Sequence, residues 1–528
     1  MHDVGAPEDE VLSNLSSLKV SYELEGELAQ VEVTPDRPDL LGEKGLAMAL
    51  RAYLGLPVSP PETYQEITQV FQEEETENFR GHFNGFFVSG LNLDDLDVQA
   101  LMNFQEVLHK SYCRDRQKAS IGIHDASGVT RVDYVVRKLD QVRFIPLGGE
   151  SPMTADEVLR QTEKGAEYGK FMPPDSQVGL FVMSNRGVMS MPPIINSEMT
   201  RVTKRTNKIF VDVEGSDART VNLVAALLAR ELSGYGSIGL TRVNSTHGQK
   251  TCPDLSYKDA EVDVEAANSA LGTSLSPEEL TKALNRLGHE GRPFGNKVLL
   301  KVPYYRFDVL GPVDVIEDAM MGVGLQALKP TLPNSYTVGK RSKDSRERDK
   351  VRDVMAWLGY IEISMTVLTD GKKQKEFYDL DPLPLSNPVS ASYDSLRIGL
   401  LPDLLRAIFV NKKKGMPLRF FEVGSVIEPV GDKAVQKLNV AAVVSDFSIG
   451  LEDVQGDLLR LCEDLGIDHR VQPRDLPFAI TGRSGSMPDG WVAELSPKVL
   501  LSNGVEFPVA AFELSLGTEF VTKLVSKR

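Results

Sequence analysis

The sequence predicts a multidomain protein of mixed α/β and α+β class, and three observations lead to this prediction. The chain has 528 residues, which at about 100–200 residues per domain corresponds to three or four domains. Segments with helical periodicity alternate with strand-like apolar segments, as in sheets with helices packed on them. Hydrophobic residues make up 41% and charged residues 25% of the chain, so each domain can bury its own core.

Composition argues against several classes of protein. The sequence has no run of 18 apolar residues and an acidic N-terminus, so we expect neither a transmembrane helix nor a secretory signal. Three scattered cysteines without a CxxC pair argue against disulfide frameworks and thiolate zinc sites, and fit a reducing cytoplasm. The formal net charge of −16 means that any contact with RNA needs local basic patches or a partner.

Residues 1–76 are predicted to form an N-terminal α+β domain with a linker. The segment VEVTPDRPDLL begins with strand-like alternation and then turns at its prolines. A helix is predicted from about Gly42, with Asp39 as its N-cap and Gly55 as its C-terminal stop. The Pro-rich segment VSPPET and the acidic run Glu73–Glu75 are predicted to be the linker.

Residues 77–250 are predicted to form an α/β domain. Two apolar segments, QVGLFVM and GVMSM, are joined by Ser184-Asn185-Arg186-Gly187, which predicts a hairpin. A long helix is predicted after Ser216 as the N-cap, with Gly234 as its stop.

Residues 255–332 are predicted to form a small α+β domain, and residues 335–528 a larger one. In the small domain, Ser276 and Glu279 form a capping box at the start of a helix, with proline at the first helical position. An acidic helix, VDVIEDAMMGVG, follows the strand KVLLKVP. In the larger domain, strands alternate with helices, which predicts a mixed sheet with helices packed on it.

No generic catalytic motif identifies the chemistry, because the sequence contains no P-loop, GxSxG, HExxH or dinucleotide fingerprint. Longer sequence segments, here called phrases, are more informative, and they occur in order along nearly the whole chain. They are VTPDRPDLLGEKGLAMALRAYLG, ASIGIHD with VMSMPPIINSEMTRVT, VPYYRFDVLGPVDVIEDAMMGVGL, LPLSNPVSASYDSLRIGLLPDLL, and LRFFEVGSVIEP with GWVAELSPKVL. By these phrases the chain resembles phenylalanyl-tRNA synthetase β subunits of the archaeal/eukaryotic type.

The resemblance implies a role for each region. Residues 77–250 would be a tRNA-editing domain, and 255–332 a winged-helix-like, putative-DNA-binding-like α+β domain. Residues 335–528 would be a class II synthetase-like antiparallel sheet with flanking helices. Because the family usually carries more chain before VEVTPDRPD, domain 1–76 is expected to be truncated.

The resemblance also implies partners. The chain would be the β subunit of phenylalanine–tRNA ligase, assembled with α subunits into a cytoplasmic (αβ)₂ heterotetramer that binds tRNA(Phe). The α subunit would bind ATP and attach phenylalanine, and no membrane would be involved.

Four acidic residues are candidate metal ligands. Asp314, Glu317 and Asp318 are spaced so that they share one helix face, and Asp308 lies just upstream. Hard carboxylate oxygens suit Mg²⁺. Spacing alone leaves two other interpretations open. In one, the acids complement the helix dipole in solvent; in the other, Arg306 neutralises them. The resemblance implies a magnesium site shared with the α subunit.

Five residues are candidates for an editing site. His124 and Asp125 end an apolar strand, whereas Asn196, Ser197 and Glu198 follow the apolar run 191–195. The resemblance implies hydrolysis of tyrosine wrongly attached to tRNA(Phe), a reaction needed because a phenylalanine pocket cannot fully reject an added hydroxyl. Local alternatives are a turn at His124-Asp125, a metal site there, and a purely organising role for Asn196. No general base is assigned.

The sequence predicts that the synthetase-like domain has no ATP site. Arg419 is one residue out of register with the Arg-x-Glu pattern of class II enzymes, and the last strand, FPVAAFELSL, has glutamate where an arginine-bearing segment is expected. Arg397 is read as structural. Two rival functions remain, a free-standing aminoacyl-tRNA deacylase and a purely structural subunit with an inactive editing pocket.

Overall fold

The computed structural model describes the chain from residue 2 to residue 523, apart from residues 27, 173–176, 247 and 334–336. Within this part of the chain, no helix combines the length and the apolar character needed to cross a bilayer. The cysteines are buried free thiols: Cys113, Cys252 and Cys462.

The chain divides into two compact units, Met1–Leu332 and Pro333–Arg528. The border between them adjoins residues 334–336, which lie outside the described residues. It falls next to the predicted border between residues 332 and 335. The finer division of the first unit into three domains stays a prediction.

The N-terminal part of the first unit pairs a two-stranded antiparallel sheet with two helices. Its elements are α1 (Glu8–Leu15), β1 (Val20–Glu25), β2 (Leu28–Val33) and α2 (Glu43–Tyr53).

The N-terminus of helix α2 is capped by a residue distant in sequence. The prediction that Asp39 is the N-cap is wrong, because its carboxylate accepts two hydrogen bonds from Arg37, at 2.9 and 2.8 Å. The first backbone N–H groups of α2 instead donate to the Glu231 carboxylate, at 3.0 and 2.7 Å. The cap position itself is Gly42, where a Cβ would lie 2.2 Å from Glu231 Oε2. The glycine therefore makes room for a carboxylate that stabilises the helix end.

An eleven-stranded sheet occupies the middle of the first unit, in the order β12-β11-β10-β7-β4-β14-β5-β13-β6, with β3 and β15 also paired to β14. The strands of this region, including the small pair β8–β9, are β3 (Thr63–Gln65), β4 (Gln69–Gln72), β5 (His82–Ser89), β6 (Ala119–Asp125), β7 (Arg131–Lys138), β8 (Arg143–Phe144), β9 (Met153–Thr154), β10 (Val178–Ser184), β11 (Gly187–Met191), β12 (Ile195–Asn196), β13 (Lys208–Gly215), β14 (Ser237–Ser245) and β15 (Gly248–Cys252). The helices are α3 (Glu77–Arg80), α4 (Asp95–Lys110), α5 (Ala155–Gln161), α6 (Glu163–Tyr168) and α7 (Ala218–Leu232).

Several local predictions for this region can be compared directly with the sheet. The hairpin is confirmed, because Ser184 pairs with Gly187 across the β10–β11 turn. The linker prediction is wrong in part, because β3 and β4 lie between the prolines and the acidic run and pair with β14. The N-cap of α7 is Asp217 rather than Ser216.

Strand β13 lies between β5 and β6, and its two faces differ in chemistry. The face with Ile209, Val211 and Val213 belongs to an apolar cluster with residues of α4 and α7. Because side chains alternate along a strand, Asp212 and Glu214 lie together on the opposite face.

The last part of the first unit has a three-stranded antiparallel sheet in the order β16-β18-β17 and three helices. The predicted capping box at Ser276 is confirmed. The elements are β16 (Lys258–Asp263), α8 (Val264–Leu271), α9 (Pro277–Arg286), β17 (Glu290–Phe294), β18 (Lys297–Val302) and α10 (Pro312–Val323).

The second unit is built on a seven-stranded sheet in the order β19-β22-β23-β27-β26-β25-β24, antiparallel except for the β19–β22 pair. Separate apolar clusters pack α11 and α14 on one face and α12 and α13 on the other. The antiparallel sheet with flanking helices predicted here is therefore present. The elements are α11 (Lys343–Trp357), β19 (Ile361–Glu362), β20 (Leu368–Thr369), α12 (Gly371–Tyr378), β21 (Ser395–Leu396), α13 (Leu401–Asn411), β22 (Leu418–Val430), β23 (Lys433–Ser445), α14 (Leu451–Leu465), β24 (Gln472–Pro473), β25 (Ala479–Met487), β26 (Gly490–Leu495), α15 (Pro497–Ser502) and β27 (Val509–Lys523).

Candidate functional site

Two carboxylates buried side by side mark a polar pocket in the large sheet. Asp212 and Glu214 are each only 1% exposed. One oxygen of each, Asp212 Oδ2 and Glu214 Oε2, receives no hydrogen bond from an N–H or hydroxyl donor of the described residues, and the two carboxyl groups share a side-chain hydrogen bond with each other. A buried carboxylate oxygen without a donor is costly and uncommon in native structures. The pair is therefore a candidate for binding a donor that comes from a ligand.

His124 fixes the position of Asp212. Its Nε2 lies 2.8 Å from Asp212 Oδ1, and its Nδ1 lies 3.0 Å from Thr200 Oγ1. We assign the imidazole proton to Nε2, which then donates to Asp212 Oδ1 and leaves Nδ1 to accept from the threonine hydroxyl. His124 itself is fully buried. Its position in strand β6 places it beside β13.

The environment of Glu214 favours its protonated form. Burial, followed by the charge of Asp212, raises the pKa of Glu214 well above its usual range. Ser120 donates a short hydrogen bond to Glu214, and Arg80 Nε lies 4.0 Å from its Oε1. The pocket therefore holds one carboxyl with a raised pKa beside a second one that is held by a histidine.

The pocket is small. Its volume is about 20 Å³, which is room for roughly one water molecule. Gly122 keeps this space open, because a Cβ there would lie 2.4 Å from His124 Nε2 and 2.5 Å from Asp212 Oδ1. The residues that line it come from β6 and the loop before it, from β11, β12 and the turn between them, and from β13: Arg116, Ser120, Ile121, Gly122, Ser190, Met191, Pro192, Pro193, Ile195, Asn196, Asp212 and Glu214.

The structure places two of the five predicted editing residues at this pocket. His124 is hydrogen-bonded to Asp212, which lines the pocket, and Asn196 is itself a lining residue. The other three have local partners. Asp125 accepts from Ser127 N and the Thr206 hydroxyl, Ser197 caps a short 3₁₀ turn, and Glu198 pairs with Arg201. We leave these three out of the proposed site.

Sequence reasoning missed Asp212 and Glu214, although a signal was present. The strand KIFVDVEG carries two acids at alternate positions in an otherwise apolar run. Such acids on one face of a buried strand need partners or a ligand. The partners, His124 and Ser120, lie on the neighbouring strand, and their pairing depends on register.

Two of the four predicted metal ligands are bound to an arginine. Arg306 Nη2 lies 2.7 Å from Asp308 Oδ2 and 2.7 Å from Asp318 Oδ2. His289 Nε2 also lies 2.7 Å from Asp318. A buried guanidinium thus occupies the place between these carboxylates where a cation would be expected.

The other two predicted ligands are engaged elsewhere. Asp314 Oδ2 accepts from the backbone N–H groups of Leu310 and Gly311, at 2.7 and 2.8 Å, at the start of helix α10. Glu317 forms a short ion pair with Lys19. No cluster of three or more His, Cys, Asp or Glu side chains suited to a metal occurs among the described residues. The four carboxylates as placed therefore do not fit a magnesium ion held by this chain.

Residues expected at an ATP site have other partners in the second unit. Arg419 Nη2 lies 2.5 Å from Asp457 Oδ2, and its guanidinium stacks at 4.3 Å over the Tyr360 ring. On strand β27, Glu513 accepts from the Tyr378 hydroxyl at 2.6 Å and from Asn439 at 2.7 Å. The guanidinium of Arg419 is therefore already engaged, and Glu513 has no guanidinium to offer a phosphate.

Arg397 is structural in this unit. It is 2% exposed, its Nη1 lies 2.8 Å from Glu422 Oε1, and its Nε donates to Ser425 O at 2.9 Å. The nearby Asp403 accepts from the Thr369 hydroxyl at 3.2 Å, while its Oδ2 has no partner among the described residues. Burial raises the pKa of Asp403 to about 6.

The raised pKa of Asp403 predicts a pH-dependent stability of the second unit. Its ordinary pKa is 3.8 and its folded pKa about 6, so its contribution is fully present below about pH 4 and is lost as pH rises through 6. Asp403→Asn cannot ionise. The variant is expected to be more stable than the parent at pH 7.5 by about 1–3 kcal/mol, with the difference vanishing near pH 4.

Urea unfolding followed by tryptophan fluorescence measures this effect. Both tryptophans, Trp357 and Trp491, lie in the second unit, so the signal reports on that unit. A difference between variant and parent that is the same at pH 4 and pH 7.5 would show that Asp403 does not titrate in this range.

Comparisons with known proteins point to one family over nearly the whole chain. A family model described as "Phenylalanyl tRNA synthetase beta chain CLM domain" matches residues 328–516, and one described as "tRNA synthetase B5 domain" matches residues 260–325. The phenylalanine–tRNA ligase β subunit of Aeropyrum pernix is 33% identical over 503 residues, covering 92% of this chain and 91% of the relative. That of Korarchaeum cryptofilum is 33% identical over 541 residues, covering 96% and 95%. A crystal structure of an N-terminal fragment of the phenylalanyl-tRNA synthetase β subunit from Pyrococcus horikoshii aligns with a TM-score of 0.58 and 28% identity, covering 61% of this chain and 96% of the fragment.

Proposed function

The chain belongs to the family of phenylalanine–tRNA ligase β subunits, and from this premise we propose that it edits mischarged tRNA at the Asp212 pocket. Its substrate would be tRNA(Phe) that carries tyrosine, and its reaction the hydrolysis of the ester. The observation that supports this most directly is the buried Asp212 carboxylate, which His124 holds beside the carboxyl group of Glu214 at a small polar pocket.

Asp212 has the chemistry to distinguish tyrosine from phenylalanine. A tyrosine hydroxyl that reached the pocket would donate to Asp212 Oδ2, whereas phenylalanine has no hydroxyl to donate. A site built to bind a substrate hydroxyl can reject the analogue without it by about 10⁴-fold or more, because the buried polar group is then left without a partner. His124 keeps the carboxylate in place, and Glu214, whose pKa is raised by its burial, lies beside it.

Substrate access requires the pocket to open. Its present volume of about 20 Å³ holds a water molecule and not an aromatic ring. Strands β11 and β12 and the turn between them supply six of the lining residues, from Ser190 to Asn196, so we expect residues 190–196 to shift when the substrate binds. Asn196 ends β12, and its side chain has no hydrogen bond among the described contacts. We assign it to the substrate ester or the attacking water, and we assign no general base.

Synthesis belongs to the partner in this proposal. The chain would assemble with α subunits in an (αβ)₂ complex in the cytoplasm, where α binds ATP and attaches phenylalanine to tRNA(Phe). The engaged Arg419 and the Glu513 carboxylate on β27 support an ATP site outside this chain. The four acidic residues around α10 do not fit a metal ion held by this chain. We therefore assign magnesium no role in the proposed hydrolysis.

Hydrolysis of preformed tyrosyl-tRNA(Phe) tests the proposal. We expect the complex of this chain with a matching α subunit to deacylate tyrosyl-tRNA(Phe) much faster than phenylalanyl-tRNA(Phe). Equal and slow loss of both esters would favour a purely structural subunit. Full hydrolysis by this chain without α would favour a free-standing deacylase.

A further inference from the structure

The imidazole of His124 is held from both sides. Its Nε2 lies 2.8 Å from Asp212 Oδ1 and its Nδ1 lies 3.0 Å from the Thr200 hydroxyl. Among the described residues, the ring makes these two hydrogen bonds. His124 is fully buried and Thr200 is 1% exposed, so bulk water cannot replace either partner. Because the partner of one ring nitrogen decides which nitrogen carries the proton, the tautomer of His124 depends on Thr200 as well as on Asp212.

The Thr200 hydroxyl has three acceptors near it but a single proton to donate. Its Oγ1 lies 3.3 Å from Ser197 O and 3.4 Å from Met189 O, compared with 3.0 Å from His124 Nδ1. Both carbonyl distances exceed the usual length of an O–H···O hydrogen bond, about 2.5–3.0 Å. Each carbonyl also accepts from a backbone N–H, at 3.2 Å and 2.7 Å respectively. The hydroxyl proton therefore goes to Nδ1, and the proton of the ring stays on Nε2.

This tautomer suits Asp212 to accept from a substrate. The Nε2–H group donates to Oδ1 and leaves Oδ2 for the tyrosine hydroxyl of the proposed substrate. In the other tautomer, Nε2 would present a lone pair to a carboxylate oxygen 2.8 Å away, and the two acceptors would repel each other. Asp212 would then move or take up a proton. Either change weakens the acceptor that distinguishes tyrosine from phenylalanine.

Thr200 lies at the end of a short turn that begins beside the pocket. The turn, Glu198–Thr200, follows strand β12, which ends at Asn196. Ser197 fixes the start of the turn by accepting from Met199 N at 3.3 Å, and Thr200 N closes it by donating to Ser197 O at 3.2 Å. The same turn therefore positions the side chain assigned to the substrate ester and the hydroxyl that holds His124.

We infer that Thr200 is a positioning residue, which fixes the tautomer of His124 and thereby enables Asp212 to select tyrosine over phenylalanine. This role rests on the proposed editing function. Thr200 acts through two other side chains and contributes no group to the hydrolysis itself. Its loss should therefore reduce the preference for the tyrosyl ester and leave the slow hydrolysis of the phenylalanyl ester unchanged.

Thr200→Val in the complex with a matching α subunit tests this role. Valine keeps the branched shape of threonine and removes the hydroxyl, so Nδ1 loses its donor. We expect the initial rate of deacylation of tyrosyl-tRNA(Phe) to fall about tenfold, as for a lost hydrogen bond that leaves a buried group unsatisfied. The rate for phenylalanyl-tRNA(Phe) should stay within about twofold of the parent rate. Thr200→Ser retains the hydroxyl and should recover the tyrosyl rate to within about threefold.

A second buried threonine provides the matched control. Thr206 is 2% exposed, and its hydroxyl donates to Asp125 Oδ2 at 2.6 Å. Thr206→Val therefore makes the same change beside a carboxylate outside the proposed site, and both rates should stay within about twofold of the parent rates. If Thr200→Val yields no folded chain, Thr200→Ala takes its place with the same expected results, since it removes the hydroxyl and adds no methyl group.

A double variant shows whether Thr200 acts through Asp212. When one residue acts only through another, their effects are not additive. Thr200→Val combined with Asp212→Asn should therefore deacylate tyrosyl-tRNA(Phe) no more slowly than Asp212→Asn alone. Additive losses would show that Thr200 acts independently of Asp212 and would overturn the inference.

A failure of this role can be distinguished from a failure of the editing function. If the parent complex does not deacylate tyrosyl-tRNA(Phe), the editing function fails and the role of Thr200 fails with it. If the parent is active, three results would overturn the role alone: a parent-like tyrosyl rate in Thr200→Val, equal losses for both esters, or an equal loss in Thr206→Val. Equal losses for both esters would mark Thr200 as merely structural.

Discussion

Exchange of Asp212 for asparagine is expected to slow the hydrolysis of tyrosyl-tRNA(Phe) by about 10- to 100-fold. A hydrogen bond to a charged acceptor contributes about 1.5–3 kcal/mol, and each 1.4 kcal/mol corresponds to a factor of ten. An asparagine retains one acceptor oxygen, which His124 Nε2 would occupy, so its amide would present a donor to the tyrosine hydroxyl. The measurement is the initial rate of deacylation of preformed tyrosyl-tRNA(Phe) by the complex.

A matched control lies on the neighbouring strand. Asp125→Asn changes the same atoms at a carboxylate that the structure places in a local turn, and it is expected to leave the rate within about twofold. Charging of tRNA(Phe) with phenylalanine should be the same for both variants, since editing and synthesis are separate in this account. Deacylation by Asp212→Asn at the parent rate, or an equal loss of deacylation rate in Asp125→Asn, would show that Asp212 does not bind the tyrosine hydroxyl.

Replacing Arg397 by methionine is expected to destabilise the second unit by about 3–5 kcal/mol. The substitution would leave Glu422 buried without its cation, and breaking a buried ion pair on one side has a cost of this size. Burial already raises the pKa of Glu422, so the remaining carboxylate would become protonated more easily, and part of the lost stability should return as the pH falls.

Tryptophan fluorescence during urea unfolding measures this loss, because both tryptophans lie in the second unit. Arg406→Met is the control, since Arg406 is exposed on helix α13 and, among the described residues, donates a hydrogen bond to the Tyr393 hydroxyl alone. We expect that variant to change stability by less than about 0.5 kcal/mol. Equal unfolding midpoints for Arg397→Met and the parent would mean that Arg397 has no structural role and is available for a partner.

Local chemistry in the sequence predicted local structure well. The β10–β11 hairpin depends on four adjacent residues, and the helix start at Ser276 depends on the spacing of a serine and a glutamate. In both cases the interacting groups are neighbours in the chain. The order of longer phrases also identified the family, which relatives with 33% identity confirm.

Contacts between distant residues could not be predicted in this way. The cap of α2 comes from Glu231, more than 180 residues away, and no local pattern at Asp39 and Gly42 reveals it. The i, i+3, i+4 spacing of Asp314, Glu317 and Asp318 predicts a shared face but not the partners that the structure gives them. The Asp212 pocket depends on strand register, which a sequence specifies only through the complete fold.

Aminoacylation of tRNA(Phe) shows whether this chain serves a ligase as its β subunit and cannot charge tRNA by itself. Charging with phenylalanine and ATP would be measured for this chain alone, for a matching α subunit alone, and for their mixture. We expect charging by the mixture only, with both chains eluting together in size-exclusion chromatography. Charging by this chain alone, or an inert mixture whose chains elute separately, would rule out that role.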